Sequence, residues 1–101
     1  MPYITQDSRK IIDEKLEPIL KYFNQAGDIV TYDGEMNYVI TRLLLSFYGG
    51  KGVMGKGNRG YQAYNRAIGV LECAKQEFYR RMIATYETQK IKDNGDVFNV
   101  K

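Results

Sequence analysis

The chain has no histidine and no tryptophan, one cysteine, and two prolines among 101 residues. Without histidine there is no imidazole acid–base catalysis and no Ser/His or Cys/His nucleophile pair. With Cys73 as the single thiol, ordinary zinc sites and an intramolecular disulfide are excluded as well, which suits a reducing cytoplasm. The N-terminus lacks the apolar core of a signal peptide, and no apolar run approaches the ~18 residues needed to span a bilayer. The sequence therefore reads as soluble and cytoplasmic. Acidic candidates for a catalytic pair, Asp13/Glu14/Glu17 and Glu72/Glu77, sit where an ordinary helix surface is expected. The expectation is a protein that is not an enzyme and needs no cofactor or metal.

What is present is tyrosine: nine, against four phenylalanines. Tyr couples apolar area to a polar tip and suits half-buried positions in grooves and subunit contacts. The formal charge of +3 is unevenly spread. Between Arg42 and Arg81 there are eight basic residues and two acidic ones, whereas the remainder is net acidic. That asymmetry points to an anionic partner for the middle of the chain.

One domain of about this length is expected, and it reads as all-α. The stretch Tyr61–Lys92 has no proline and one glycine, carries apolar residues at helical spacing and is followed by the stop signal Asp93-Asn94-Gly95. Its stripe (Tyr64, Ala67, Ile68, Leu71, Ala74, Phe78 and Met82) should face the preceding helices. Upstream, Ile12, Leu16, Ile19, Leu20 and Phe23 place a first helix over about residues 7–25, with Thr5, Asp7 or Ser8 as N-cap, Gly27 as its stop, and a kink or break at Pro18. A connector over 28–34 then leads to a second helix, capped by Asp33, with the stripe Met36, Val39, Ile40, Leu43, Leu44 and Phe47. The expected architecture is a helical hairpin of a short and a long helix with the N-terminal helix packed across it. The long helix offers more face than its neighbours can cover, with a small-residue face at Gly69 and Cys73, so a homo-oligomer is expected.

Residues 49–60 form a glycine-rich loop with Lys51, Lys56 and Arg59 and no acid, and residues 96–101 a short tail. The loop matches GxGxxG twice and the beginning of GxxxxGK, but no strand precedes it and Gly57 stands where a magnesium-binding Ser or Thr is required. A dinucleotide fold and a nucleotide hydrolase are both excluded. The loop is expected to be mobile, and its lysines and arginine could still contact phosphate. In the long helix, Glu77-Phe78-Tyr79-Arg80-Arg81 groups two guanidinium forks with an aromatic platform, equipment for a phosphate or a base. Glu77 and Arg81, at i and i+4, should pair. Adjacent arginines project about 100° apart, so one should serve a ligand and the other brace a neighbouring helix or the adjoining subunit.

The segments MPYI, Glu35-Met36-Asn37-Tyr38-Val39-Ile40-Thr41, Tyr64-Asn65, Ile68-Gly69-Val70-Leu71-Glu72, Lys75, Glu77–Arg81, Tyr86-Glu87, Lys90 and Asn94–Val97 resemble a family of small proteins of unknown function in bacteriophages, prophages and bacteria. The chain differs from that pattern at Thr85, often Pro in the family, and in longer loops at 28–34 and 49–60. The resemblance implies a viral or mobile-element setting, hence a host cytoplasm, and no activity. Residues and resemblance together lead to a non-catalytic accessory protein that captures a phosphate-bearing ligand, such as a nucleotide or nucleotide signal, between subunits. Its site would comprise Tyr38, Lys75, Tyr79, Arg80 and Arg81, with Lys51, Lys56 and Arg59 as a lid. The alternatives are a nucleic-acid-binding accessory protein and a protein–protein inhibitor or scaffold acting on a host protein.

Overall fold

A computed structural model of the chain describes residues 2–25, 29–49 and 60–98, without the side chains of Val30 and Thr31. The protein is all-α. Its elements are α1 (Gln6–Asn24), α2 (Ile29–Tyr48), α3 (Gly60–Phe78), a π-helical turn (Tyr79–Ile83) and α4 (Ala84–Asn94). They fall into two compact units, Met1–Ala67 and Ile68–Lys101.

In the first unit, α1 begins where Thr5 turns out of the extended lead-in. The Thr5 hydroxyl accepts the Ser8 amide at 3.3 Å, removing one of the unpaired donors of the first turn. The Arg9 side chain ties the lead-in down by donating Nε to the Ile4 carbonyl at 2.9 Å. Pro18 does not divide the helix, which continues to Asn24 although the proline cannot donate to Glu14. The anticipated stop at Gly27 lies outside the described residues.

Helix α2 starts at Ile29, a turn earlier than the sequence predicts, so Asp33 lies inside the helix rather than capping it. The reason is aromatic packing. The early start brings Tyr32 against the end of α1, where its ring meets those of Tyr22 and Phe23 edge-on at 5.9 and 6.2 Å. The Tyr22 hydroxyl also donates a short hydrogen bond to the Glu35 carboxylate. These contacts outweigh the turn preference of the connector. They join the end of α1 to the beginning of α2, so the two helices run as an antiparallel hairpin. Helix α2 ends at Tyr48, and the Gly49 amide reaches the Leu45 carbonyl at 3.2 Å. The 50–59 portion of the glycine-rich loop is outside the described residues. Gly60, at φ +78°, then starts α3 from the left-handed region that side chains other than glycine avoid.

The second unit is built on one helical path. Helix α3 passes into the π turn at Tyr79 and α4 continues from Ala84. Gly95, at φ +88°, stops α4 with its amide on the Ile91 carbonyl at 2.8 Å. In the tail, the Asp96 carboxylate accepts the Phe98 amide at 3.1 Å in a local turn.

Burial departs most from the sequence expectation. Among the described residues only Ala67 is buried. Its stripe partners Ile68, Phe78 and Met82 are 64, 62 and 60% exposed.

Candidate functional site

The residues singled out for ligand binding fall into three groups. Lys51, Lys56 and Arg59 lie outside the described residues. Tyr38 belongs to the first unit, where Arg42 one turn on donates Nη1 to its hydroxyl at 2.9 Å and lies 5.7 Å from the ring centre. Lys75, Tyr79, Arg80 and Arg81 are brought together at the junction of α3 and the π turn.

That junction is built from the backbone outward. In a π turn each amide bonds the carbonyl five residues back, as Ala84 does with Tyr79, and the turn accommodates an extra residue. Such turns concentrate at functional sites. Here it covers Tyr79-Arg80-Arg81-Met82-Ile83, the most suggestive cluster of the sequence. The Arg81 carbonyl accepts the Thr85 hydroxyl at 3.2 Å, and the Ala84 carbonyl accepts that of Thr88 at 2.9 Å. These hydroxyls share the i−4 carbonyls with the backbone just beyond the turn, a bonding pattern that favours a local bend. The Tyr79 phenol reaches over it to donate to Glu87 at 3.3 Å.

Glu77 is the centre of the charged cluster. Arg80 Nη2 donates to both of its carboxylate oxygens, at 2.9 and 2.8 Å, while Arg81 Nε approaches one of them at 3.9 Å, beyond hydrogen-bond range. The expected i,i+4 pair is therefore the weaker one, and Arg80 is the arginine that pairs with Glu77. Two adjacent guanidiniums converge on one anion because positions i+3 and i+4 flank the glutamate, and helical side chains lean toward the N-terminus. Glu77 is 24% exposed, against 62 and 63% for the two arginines. One turn back, Glu72 accepts Gln76 at 3.3 Å and Lys75 at 3.2 Å through the same oxygen. The Gln76 bond first, then Lys75, holds the Glu72 carboxyl below the usual carboxylate range.

Chemically this is a solvent-facing surface on which Lys75, Arg80 and Arg81 are matched by Glu72, Glu77 and Glu87, and its paired guanidiniums, beside an aromatic neighbour, are donors that suit an anion. No polar or charged side chain among the described residues is buried. Nor do the described residues contain a group of three His, Cys, Asp or Glu side chains that could hold a metal ion. Sequence reasoning located the arginines and missed the π turn. The available signal was a one-residue slip in the apolar pattern, from Phe78 and Met82 to Tyr79, Ile83 and Tyr86.

The model of one family matches residues 1–97, nearly the whole chain: a domain of unknown function, DUF6899. The chain belongs to that family. No curated protein and no solved structure matches it. Membership in DUF6899 thus agrees with the resemblance to proteins of unknown function and attaches no activity to Arg80 and Arg81. No helix among the described residues of this DUF6899 domain is long and apolar enough to cross a membrane.

Proposed function

We propose that this DUF6899 protein is a non-catalytic helical binding protein that works as a homo-oligomer and holds a phosphate-bearing ligand, a nucleotide or nucleotide signal, on its π turn. The observation that carries the ligand is the convergence of Arg80 and Arg81 on the single carboxylate of Glu77. An anion the size of a carboxylate is within reach of both guanidiniums, and a phosphate offers more charge and more acceptor oxygens than Glu77 does. Tyr79 supplies an adjacent ring, and Lys75 a further charge one turn away. The setting we assign is the cytoplasm of a phage-infected or prophage-bearing bacterium, following the family resemblance.

The test is equilibrium binding of the purified protein to nucleotides and short oligonucleotides at two salt concentrations. Arg81, the less engaged arginine, is the primary donor. Arg81→Ala should weaken binding by about 1.5–3 kcal/mol, the scale of a charge-assisted hydrogen bond, with little change in melting temperature. Glu77→Gln should tighten binding by removing the competing anion. A wild-type protein that binds nothing on the panel, or a Glu77→Gln variant with unchanged affinity, would sink the ligand reading. A steep loss of affinity with salt would instead move the protein to the nucleic-acid class. Exposure of Ile68, Phe78 and Met82 on the same helical path favours a second reading, a scaffold for a host protein.

A further inference from the structure

Between α1 and α2, within the first unit, lies a groove of about 510 Å³, walled by Ile12, Leu16 and Ile19 on one helix and Val39 and Leu43 on the other. The charged residues of its lining are Lys15 and Arg42, with no acid. We infer that this groove receives an amphipathic helix of a partner protein, one whose apolar face carries an Asp or Glu at its centre. The inference stands apart from the π-turn ligand and does not rest on it.

The hydrogen bond from Tyr22 to Glu35 fixes the register of the antiparallel hairpin. Lys15 lies seven residues before Tyr22, and Arg42 seven residues after Glu35. Seven residues make two turns, about 10.5 Å along the axis, with a drift of only ~20° around it. Lys15 and Arg42 therefore stand level with each other on the faces that present Tyr22 and Glu35. Two turns on from a phenol paired with a carboxylate, the hairpin sets cation against cation.

Neither cation is neutralised locally. Every other base of α1 has an acid three or four residues away: Arg9 has Asp13, Lys10 has Asp7, and Lys21 has Glu17. At those spacings Lys15 has only isoleucines and Pro18, and Arg42, the one base of α2, has Tyr38, Val39, Leu45 and Ser46. Neither has a carboxylate partner among the described residues. The Tyr38 hydroxyl takes one N–H of Arg42 at 2.9 Å and leaves the rest of the fork for another acceptor.

The position of the pair selects the occupant. Ile19 lies one turn to one side of Lys15 and Ile12 one turn to the other, so apolar wall flanks the cations at both ends. A fatty-acid-like amphiphile carries its charge at the end of its chain. The same groove of a second copy would bring Lys15 and Arg42 again and no acid. A helix with apolar residues at i and i+7 and an acid at i+3 or i+4 spans the same ~10.5 Å and lays its carboxylate between the two cations. The apolar walls are open to it, with Ile12, Leu16, Ile19 and Leu43 between 38 and 61% exposed.

The experiment is selection against the immobilised full chain from a displayed helical scaffold randomised at i, i+3, i+4 and i+7 of one face. Wild type should enrich apolar residues at i and i+7 and Asp or Glu at i+3 or i+4. A Lys15→Glu/Arg42→Glu variant should reverse the central preference to Lys or Arg, a result that loss of folding cannot imitate. With one selected sequence made as a synthetic peptide, Lys15→Gln and Arg42→Gln should each weaken binding at least about tenfold, the scale of one charge-assisted hydrogen bond. Dodecanoate should not displace that peptide. Enrichment without a central acid, no enrichment at all, or a central preference unchanged in the double variant would overturn the inference. Displacement of the peptide by dodecanoate would overturn it too and assign the groove to a small amphiphile. None of these outcomes bears on nucleotide binding at Arg80 and Arg81.

Discussion

Tyr22 and Glu35 show how one side-chain pair sets where a helix begins. The phenol donates to the carboxylate, and that bond, followed by partial desolvation and the negative charge of Glu35, raises the Tyr22 pKa above the ordinary phenol value. A folded pKa above the unfolded one means that the contribution to stability is whole below the unfolded value, near pH 10. It disappears as pH rises through the folded value. Urea midpoints measured from pH 8 to 11 should therefore fall at the alkaline end in wild type and fall less in Tyr22→Phe. Identical profiles would show that the bond does not form in solution. Gly34 gives a simpler expectation. It lies inside α2, and a Cβ built there meets nothing within 4 Å. Gly34→Ala should thus stabilise the protein by roughly 0.5–1 kcal/mol through backbone entropy alone, read as a higher urea midpoint with an unchanged slope.

At the scale of elements, the sequence displays those features whose signal is local. Thr5 reads as a cap and is one, Gly95 reads as a stop and is one, and the stripes of α1 and α2 are visible in their spacing. The start of α2 was not legible, because Asp33-Gly34 has the composition of a turn and is overruled by Tyr32 packing on Tyr22 and Phe23, a contact made outside its own helix. Of the candidate site, the residue types were legible and their arrangement was not. A heptad-like series through Tyr64, Ile68, Leu71, Phe78 and Met82 would continue to Thr85 and Gln89 in an unbroken α-helix, both polar. The apolar series that follows is Tyr79, Ile83, Tyr86, one residue later. A π turn takes up one extra residue, which restores the second series to the side of the first. Deleting Met82 should then convert the turn to α-helix with the ellipticity at 222 nm unchanged. It should also rotate α4 by about 100° relative to α3, separating Tyr79 from Glu87 and abolishing ligand binding. Loss of helix on deletion would show instead that the π turn is required for folding.

For the whole molecule, the governing fact is that only Ala67 is buried among the described residues, whereas side chains as large as Phe47, Phe78 and Tyr86 are open to water. Ordering a residue costs about 1–2 kcal/mol of backbone entropy, and apolar burial, at about 25 cal/mol per Å², is the principal term that offsets it. In the proposed homo-oligomer, association supplies that term. Folding and assembly then become one equilibrium, in which stability depends on the concentration of the chain itself. Helicity at 222 nm should accordingly fall on dilution from about 100 to 0.1 µM, and the melting temperature should rise with concentration across that range. A nucleotide that binds between subunits would raise it further, since a ligand selective for the assembled state stabilises by mass action. Gly69 links this coupling to one position. A Cβ there meets nothing within one chain, so Gly69→Ala should add helix stability if its face stays open, at every concentration alike. If the small face of Gly69 and Cys73 is closed by another subunit, the same substitution should lower the melting temperature most at the high concentrations where subunits meet. A melting temperature independent of concentration in both wild type and Gly69→Ala would show that the chain folds alone, and the apolar faces would then have to be assigned to a partner of another kind.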